Sequence, residues 1–199
     1  MLPEKIVYIG ILLQLIGQIS YIVSIFRGRA KPNLVSWFIW MLAPLIGFFF
    51  MVKAGASFSA LPVFMAGFGP FLVILFSILI KNGYWKINAF DLYCGALALL
   101  ALIFYVFTHN LGVSIIFAIL SDALASIPTI VKSWKFPETE SGLIYFFAMI
   151  SNILGLLTIK IWSFSVSAFG VSLVLQCAII LFCIYRKKIF GPSSVSFTS

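Results

Sequence analysis

Thr129-Ile-Val-Lys-Ser-Trp-Lys135 can be written beneath Tyr21-Ile-Val-Ser-Ile-Phe-Arg27 without a gap. In both, a long apolar run passes into a basic, turn-prone segment. The pairing sets Tyr21 on Thr129, an offset of 108, and the register holds on either side of it. Forward, Trp37 falls on Tyr145, Phe38 on Phe146, Met41 on Met149, Gly47 on Gly155 and Ala60 on Ala168; backward, Ser20 falls on Pro128 and Gln14 on Asp122. Over the whole offset identity is low. The stronger signal is that whole apolar segments and the breaks between them coincide at one offset, as expected of a duplicated unit.

Composition decides what kind of segments these are. Of 199 residues, 63% are hydrophobic and 9% are charged. A water-soluble domain carries about a quarter charged residues, so most of this surface has to face lipid. Seven apolar runs are expected to cross the membrane as helices: Lys5–Phe26, Leu34–Val52, Ala60–Ile80, Ala89–Phe107, Gly112–Val131, Gly142–Ile161 and Ser165–Tyr185. Each holds about 19 to 22 residues, enough at about 1.5 Å per residue to cross a hydrocarbon core of about 30 Å. The breaks carry turn chemistry, as in Arg27-Gly-Arg-Ala-Lys-Pro-Asn33, Lys81-Asn-Gly-Tyr-Trp-Lys-Ile-Asn88 and Trp134-Lys-Phe-Pro-Glu-Thr-Glu-Ser141. Trp85, Trp134 and Trp162 stand at run ends, where an aromatic belt belongs. The first run lacks a small-residue cleavage pattern and is expected to stay as a helix.

Positive residues fall unevenly on alternate sides of these runs. Arg27, Arg29, Lys31, Lys81, Lys86, Lys132, Lys135, Arg186, Lys187 and Lys188 share one side, and Lys5, Lys53 and Lys160 the other. That bias places the first set in the cytoplasm, the N-terminus outside and the C-terminus inside, as an odd number of spans requires. The net charge of +8 then reflects topology. Scattered over short loops, it gives no support for nucleic acid as a partner.

Offset and span count together give an architecture. Helices 1, 2 and 3 fall on helices 5, 6 and 7, and helix 4 has no counterpart. Three spans reverse the chain's direction, so one extra span is needed for the second copy to run the same way as the first. The expected fold is all-α and integral to the membrane: two parallel three-helix repeats joined by a linker helix, 3+1+3. Repeat 1 occupies residues 1–81, the linker 82–111 and repeat 2 residues 112–190, followed by a disordered tail at 191–199.

In this plan, and in Ser126-Ile-Pro-Thr-Ile-Val-Lys-Ser-Trp-Lys135, the chain resembles the SWEET and wider PQ-loop transporter superfamily, and PnuC-type vitamin transporters share a similar plan. The stretch is similar to the superfamily's Pro-containing end of the first helix in each repeat, followed by a basic loop. In the first repeat Ser20-Tyr21 stands where Pro-Gln is expected, and helix 3 reads Met65-Ala-Gly-Phe-Gly-Pro70 where the sugar transporters carry an Asn. The resemblance implies a facilitator that alternates access between its two halves, with Pro128 as a hinge.

Polar residues inside apolar runs are the candidate site. Asp122 lies mid-way along helix 5, where a carboxylate costs about 2.5–3.5 kcal/mol to insert. Its repeat mate Gln14 is also polar, and Gln18 follows one turn later on the same face. Asn152 in helix 6 and Gln176 in helix 7 add further polar groups, and Trp40 offers an aromatic face for a ring. Together these six form the expected solute site; the competing explanation for each is an interhelical hydrogen bond that only joins helices. Pro44 and Pro128 are candidate hinges, because a mid-helix proline removes a backbone hydrogen bond. Trp37 is expected at the membrane interface, Asp91 in a surface ion pair with Lys86, and His109 in a solvated outer loop. Cys94, Cys177 and Cys183 lie in apolar runs without ligand spacing and are expected to pack.

No cofactor, metal or catalytic constellation is expected: there is no Ser/His/Asp set and no HExxH. The expected function is a small-solute transporter of the plasma or inner membrane. Its expected partners are the lipid bilayer and a small polar solute, a sugar or another metabolite, with homo-oligomer formation left open. The alternative is a non-transporting membrane receptor that binds a ligand or partner, as KDEL receptors do within a related fold.

Overall fold

The computed structural model describes residues 5–53, 61–80, 84–108, 110–159 and 162–190. Ala60, Lys81, His109, Lys160 and the tail 191–199, which entered the expectations above, lie outside the described residues. Seven α-helices are formed among those described: α1 (Ile6–Phe26), α2 (Leu34–Lys53), α3 (Leu61–Leu79), α4 (Ala89–Phe107), α5 (Leu111–Lys135), α6 (Gly142–Leu157) and α7 (Phe164–Phe190). Four stretches are long and apolar enough to cross a membrane: Tyr8–Phe26, Ala89–Phe107, Gly112–Lys135 and Ser167–Ile189. Shorter apolar helical stretches cover Leu34–Ile46, Phe64–Leu79 and Gly142–Leu157. Together these make the chain an α-helical membrane protein.

The helix ends follow local chemistry. After α1, Gly28 takes a φ of +66°, its N–H donates to the Ile25 carbonyl, and the Arg29 N–H donates to the Ser24 carbonyl at 2.9 Å. This is a Schellman cap, and glycine is the residue that adopts its left-handed position without strain. The Asn33 carboxamide oxygen accepts from the Val35 N–H at 3.1 Å and starts α2. Asn88 and Asp91 exchange side-chain and backbone bonds of 3.0 Å in a capping box that starts α4. Asp91 is therefore not the exposed partner of Lys86 that its position in sequence suggested.

Three ends differ from the expected ones. Helix α5 runs through Lys135 instead of stopping at Val131, and the turn that follows tightens into a 3-10 segment at Pro137–Thr139. Helix α6 stops at Leu157, short of Ile161. Both the N–H and the hydroxyl of Thr158 donate to the Gly155 carbonyl, closing the last turn. Helix α7 passes Tyr185 and carries Arg186, Lys187 and Lys188 on its last turns, where cations favour the C-terminal dipole.

Helix α3 packs against both α1 and α2, and α7 against both α5 and α6. Across the molecule α1 lies on α6 and α2 on α5. Among the described residues, α1 and α2 have no backbone-level contact with each other, nor do α5 and α6. Helix α4 packs on α5 and α2 from outside. Its small face does this: Gly95 sits under the Val35 side chain, and Ala98 is fully buried beside Ile39 and Ala125.

The main core takes a side chain from each of the six other helices, including Tyr21, Trp37, Val73, Ile130, Ile144 and Ile180. Close approach of α1 and α6 depends on glycine. A Cβ on Gly17 would stand 3.2 Å from Ile144 Cα and 3.4 Å from Phe147 Cβ, and one on Gly10 would stand 2.6 Å from Ser151 Oγ. Trp37 lies in this core, 3% exposed. It is not an interfacial anchor, because the ring of Tyr21 packs tilted against it at 5.0 Å and shields it from the surface. Of the three tryptophans expected in an aromatic belt, Trp134 and Trp162 are exposed, whereas Trp85 is half-buried against the Phe136 ring at 5.2 Å.

Candidate functional site

The polar residues singled out from sequence divide into two places and two isolated positions. The first place is the central core. Gln18 on α1 is buried, and its carboxamide lies directly over Gly69 of α3, where any Cβ would overlap it. Trp37 and Trp40 stand edge to face on α2 at 5.5 Å, and Trp37 also meets Tyr21, one turn on from Gln18. Three buried polar atoms of this group, Gln18 Oε1, Trp37 Nε1 and Trp40 Nε1, meet no hydrogen-bond partner among the described residues. Leaving a buried donor or acceptor unmet costs about 1–3 kcal/mol. One orphaned acceptor and two orphaned donors around a single aromatic cluster suit a ligand carrying both hydroxyls and a hydrophobic face.

The second place is the seam of α5 and α7. Asp122 is 8% exposed and is engaged by the Gln176 side chain. Both line a groove of about 480 Å³ with Ser126, Ile130, Ser172 and Ile179. Its walls are almost wholly apolar, because the Ser126 and Ser172 hydroxyls donate back to the Ala123 and Phe169 carbonyls at 2.7 Å. This groove holds Asp122 and Gln176 but not Gln14, Gln18, Asn152 or Trp40.

The remaining two stand apart. Asn152 donates to the Ala148 carbonyl of its own helix at 2.8 Å. Gln14 is half-buried on α1. Pro128 is fully buried and Pro44 half-buried, both within continuous helices.

A third polar cluster was not legible in the sequence. Lys132, counted above among the cytoplasmic charges, is buried near the end of α5 and forms an ion pair with the buried Glu140. Its ammonium also donates to the Lys31 carbonyl and stands 5.7 Å above the Trp85 ring. The Tyr21 hydroxyl donates to Glu140 Oε2 at 2.8 Å, and the Tyr145 hydroxyl approaches the same oxygen at 3.4 Å. The Lys31 N–H donates to the Thr139 carbonyl, and the Trp85 N–H to the Pro32 carbonyl, both at 2.9 Å. Deeper, Thr129 donates to Ser36 at 2.9 Å, tying α5 to α2. These bonds bring the ends of α1, α5 and the starts of α2, α4 and α6 to one basic end of the molecule. One signal for the cluster was available: five acids occur in the chain, and two of them, Glu138 and Glu140, share this basic loop.

Cys94, Cys177 and Cys183 are buried and free, as packing residues. Comparison with family models, with curated proteins and with solved structures finds no match to this chain.

Proposed function

We propose that the chain transports a small polar solute across a plasma or inner membrane by alternating access between two parallel repeats. Repeat 1 (1–81) holds α1–α3, repeat 2 (112–190) holds α5–α7, and α4 is the linker, giving seven spans with the N-terminus outside. The observation that carries this reading is the set of orphaned atoms on Trp37 and Trp40, in the core shared by the two helix triplets, and on Gln18, buried over Gly69 of α3. Buried polar groups in a native structure are paired, and exceptions call for an explanation; completion by a bound polar solute supplies one.

Neighbour relations support the repeat. Adding 108 to α1, α2 and α3 converts their mutual packing into that of α5, α6 and α7, and converts the α1–α6 contact into the α5–α2 contact. At residue level, Gly17 approaches Phe147, and the positions equivalent to these two are Ala125 and Ile39, which pack together. The basic-end network joins residues of both triplets, from Tyr21 and Lys31 on one side to Lys132 and Glu140 on the other. In this reading it closes that end of the pathway, and Pro128 and Pro44 are the points where helices yield when it opens.

Flux into proteoliposomes loaded with sugars, nucleosides or amino acids tests the proposal. One class is expected to exchange, with transport reduced about tenfold or more by Gln18→Ala and by Trp40→Phe, which keeps an aromatic ring but removes the N–H; a lost hydrogen bond in such a site is worth about 1–3 kcal/mol. Flux unchanged in both variants removes the site. Saturable binding without flux for any class overturns transport in favour of a receptor.

A further inference from the structure

The helix stripes that line the α5–α7 groove run on past it toward the basic end. On α5 the residues at its wall include Ile127 and Ile130, and Trp134 follows one turn later on the same stripe. On α7, Leu175 and Ile179 lead in the same way to Phe182 and Arg186. At that end the Trp134 and Phe182 rings lie 6.4 Å apart, and the Arg186 guanidinium stands 4.2 Å over the Trp134 ring. One of its nitrogens, Nη1, donates to the Cys183 carbonyl at 3.0 Å, which anchors the side chain through one of its five N–H donors. Lys135 and Lys187, next in sequence to Trp134 and Arg186, are exposed, and the exposed Lys188 reaches over the Tyr185 ring at 5.6 Å. Among the described residues, Glu138 is the one exposed acid; Asp91, Asp122 and Glu140 are buried.

From Trp134 down to Asp122 is about 18 Å along the helix, roughly half the thickness of a bilayer core plus its margin. Apart from Asp122 and Gln176 the groove's walls are almost wholly apolar, and beyond it the same stripes carry an exposed aromatic under a positive charge. Such an arrangement matches one class of molecule. We propose that the α5–α7 groove binds an anionic glycerophospholipid, with an acyl chain along the groove and the phosphate held by Arg186 and its neighbouring lysines. Charge complementarity selects the headgroup. The tryptophan ring beneath Arg186 keeps the guanidinium at headgroup level. The site is separate from the central cluster and does not depend on the chain being a transporter.

Native mass spectrometry of the full chain, released from detergent containing equal amounts of phosphatidylglycerol and phosphatidylcholine with the same chains, tests this. Phosphatidylglycerol adducts are expected to predominate. Charges near an anionic surface contribute about fivefold each, so Arg186→Gln/Lys187→Gln is expected to weaken the preference about thirtyfold. Ile179→Trp, which fills the groove without touching charge, is expected to reduce retention of both lipids. Arg27→Gln/Arg29→Gln, on a different loop of the same basic end, is expected to leave the preference unchanged. Equal retention of the two lipids overturns the proposal, as does an equal loss in the Arg27/Arg29 variant, which marks diffuse attraction. Displacement of the lipid by glycerol phosphate alone also overturns it, since the groove would then play no part. Gel filtration of each variant reports whether it is folded.

Discussion

At the residue scale, the largest single commitment is the buried pair of Lys132 and Glu140. Removing one partner of a buried pair strands the other charge, at a cost of about 3–5 kcal/mol, whereas replacing both with apolar groups of similar volume is far better tolerated. Glu140→Ala is therefore expected to lower the unfolding temperature in detergent sharply, and Lys132→Met/Glu140→Leu to lose less than Glu140→Ala alone. If the double variant is the less stable of the two, the pair is not held as described. Gln18 and Gly69 form a second residue-scale unit, because the carboxamide occupies the space a Cβ would need. Gly69→Ala is expected to cost about 1–3 kcal/mol by overpacking. Gln18→Ala in the same chain should recover most of it, a coupling that a double-mutant cycle measures directly.

At the element scale, what matters is how closely helix backbones approach. In a membrane no hydrophobic effect drives helix against helix, so small residues and van der Waals contact decide the interface. Gly17 meets the backbone of α6, while a Cβ at Gly155 would meet nothing within 4 Å. Gly17→Leu is accordingly expected to force α1 from α6 and to reduce the folded fraction in detergent. Gly155→Ala is expected to be neutral or stabilising by up to about 1 kcal/mol, since alanine is the better helix former. Equal effects of the two substitutions on thermal unfolding would remove the α1–α6 contact as an organising feature. The same logic explains α4, whose small face at Gly95 and Ala98 lets it lie close on α2 and α5 while its bulky residues Leu92, Tyr93 and Phe104 face outward.

At the scale of the whole molecule, the proposed repeats must move against each other while the basic end opens and closes. The Thr129–Ser36 bond of 2.9 Å joins α5 to α2 across the two triplets. With Cys94, Cys177 and Cys183 replaced by alanine, Ser36→Cys/Thr129→Cys is expected to cross-link under mild oxidation, seen as a gel-mobility shift reversed by reductant. Where transport is present, the cross-link is expected to stop it and reductant to restore it. Cross-linking that leaves flux untouched would show that this contact is static and that the halves do not separate there.

Much of this was legible from residue types alone. Apolar runs of the right length, turn chemistry at Gly28 and Asn33, and the offset from Tyr21 to Thr129 depend on local sequence and on the lipid that must surround it, so an all-helical membrane protein follows without coordinates. Other features depended on which distant groups meet. Lys132 reads as one loop charge among ten until α5 is seen to extend past it and fold Glu140 back over it. Trp37 reads as an interfacial ring until Tyr21 covers it. Asp122 turned toward Gln176 and the α5–α7 seam, apart from Gln14, Asn152 and Trp40. Burial and pairing are properties of neighbours brought together from different helices and loops, and helix periodicity carries no information about them; only tertiary packing does.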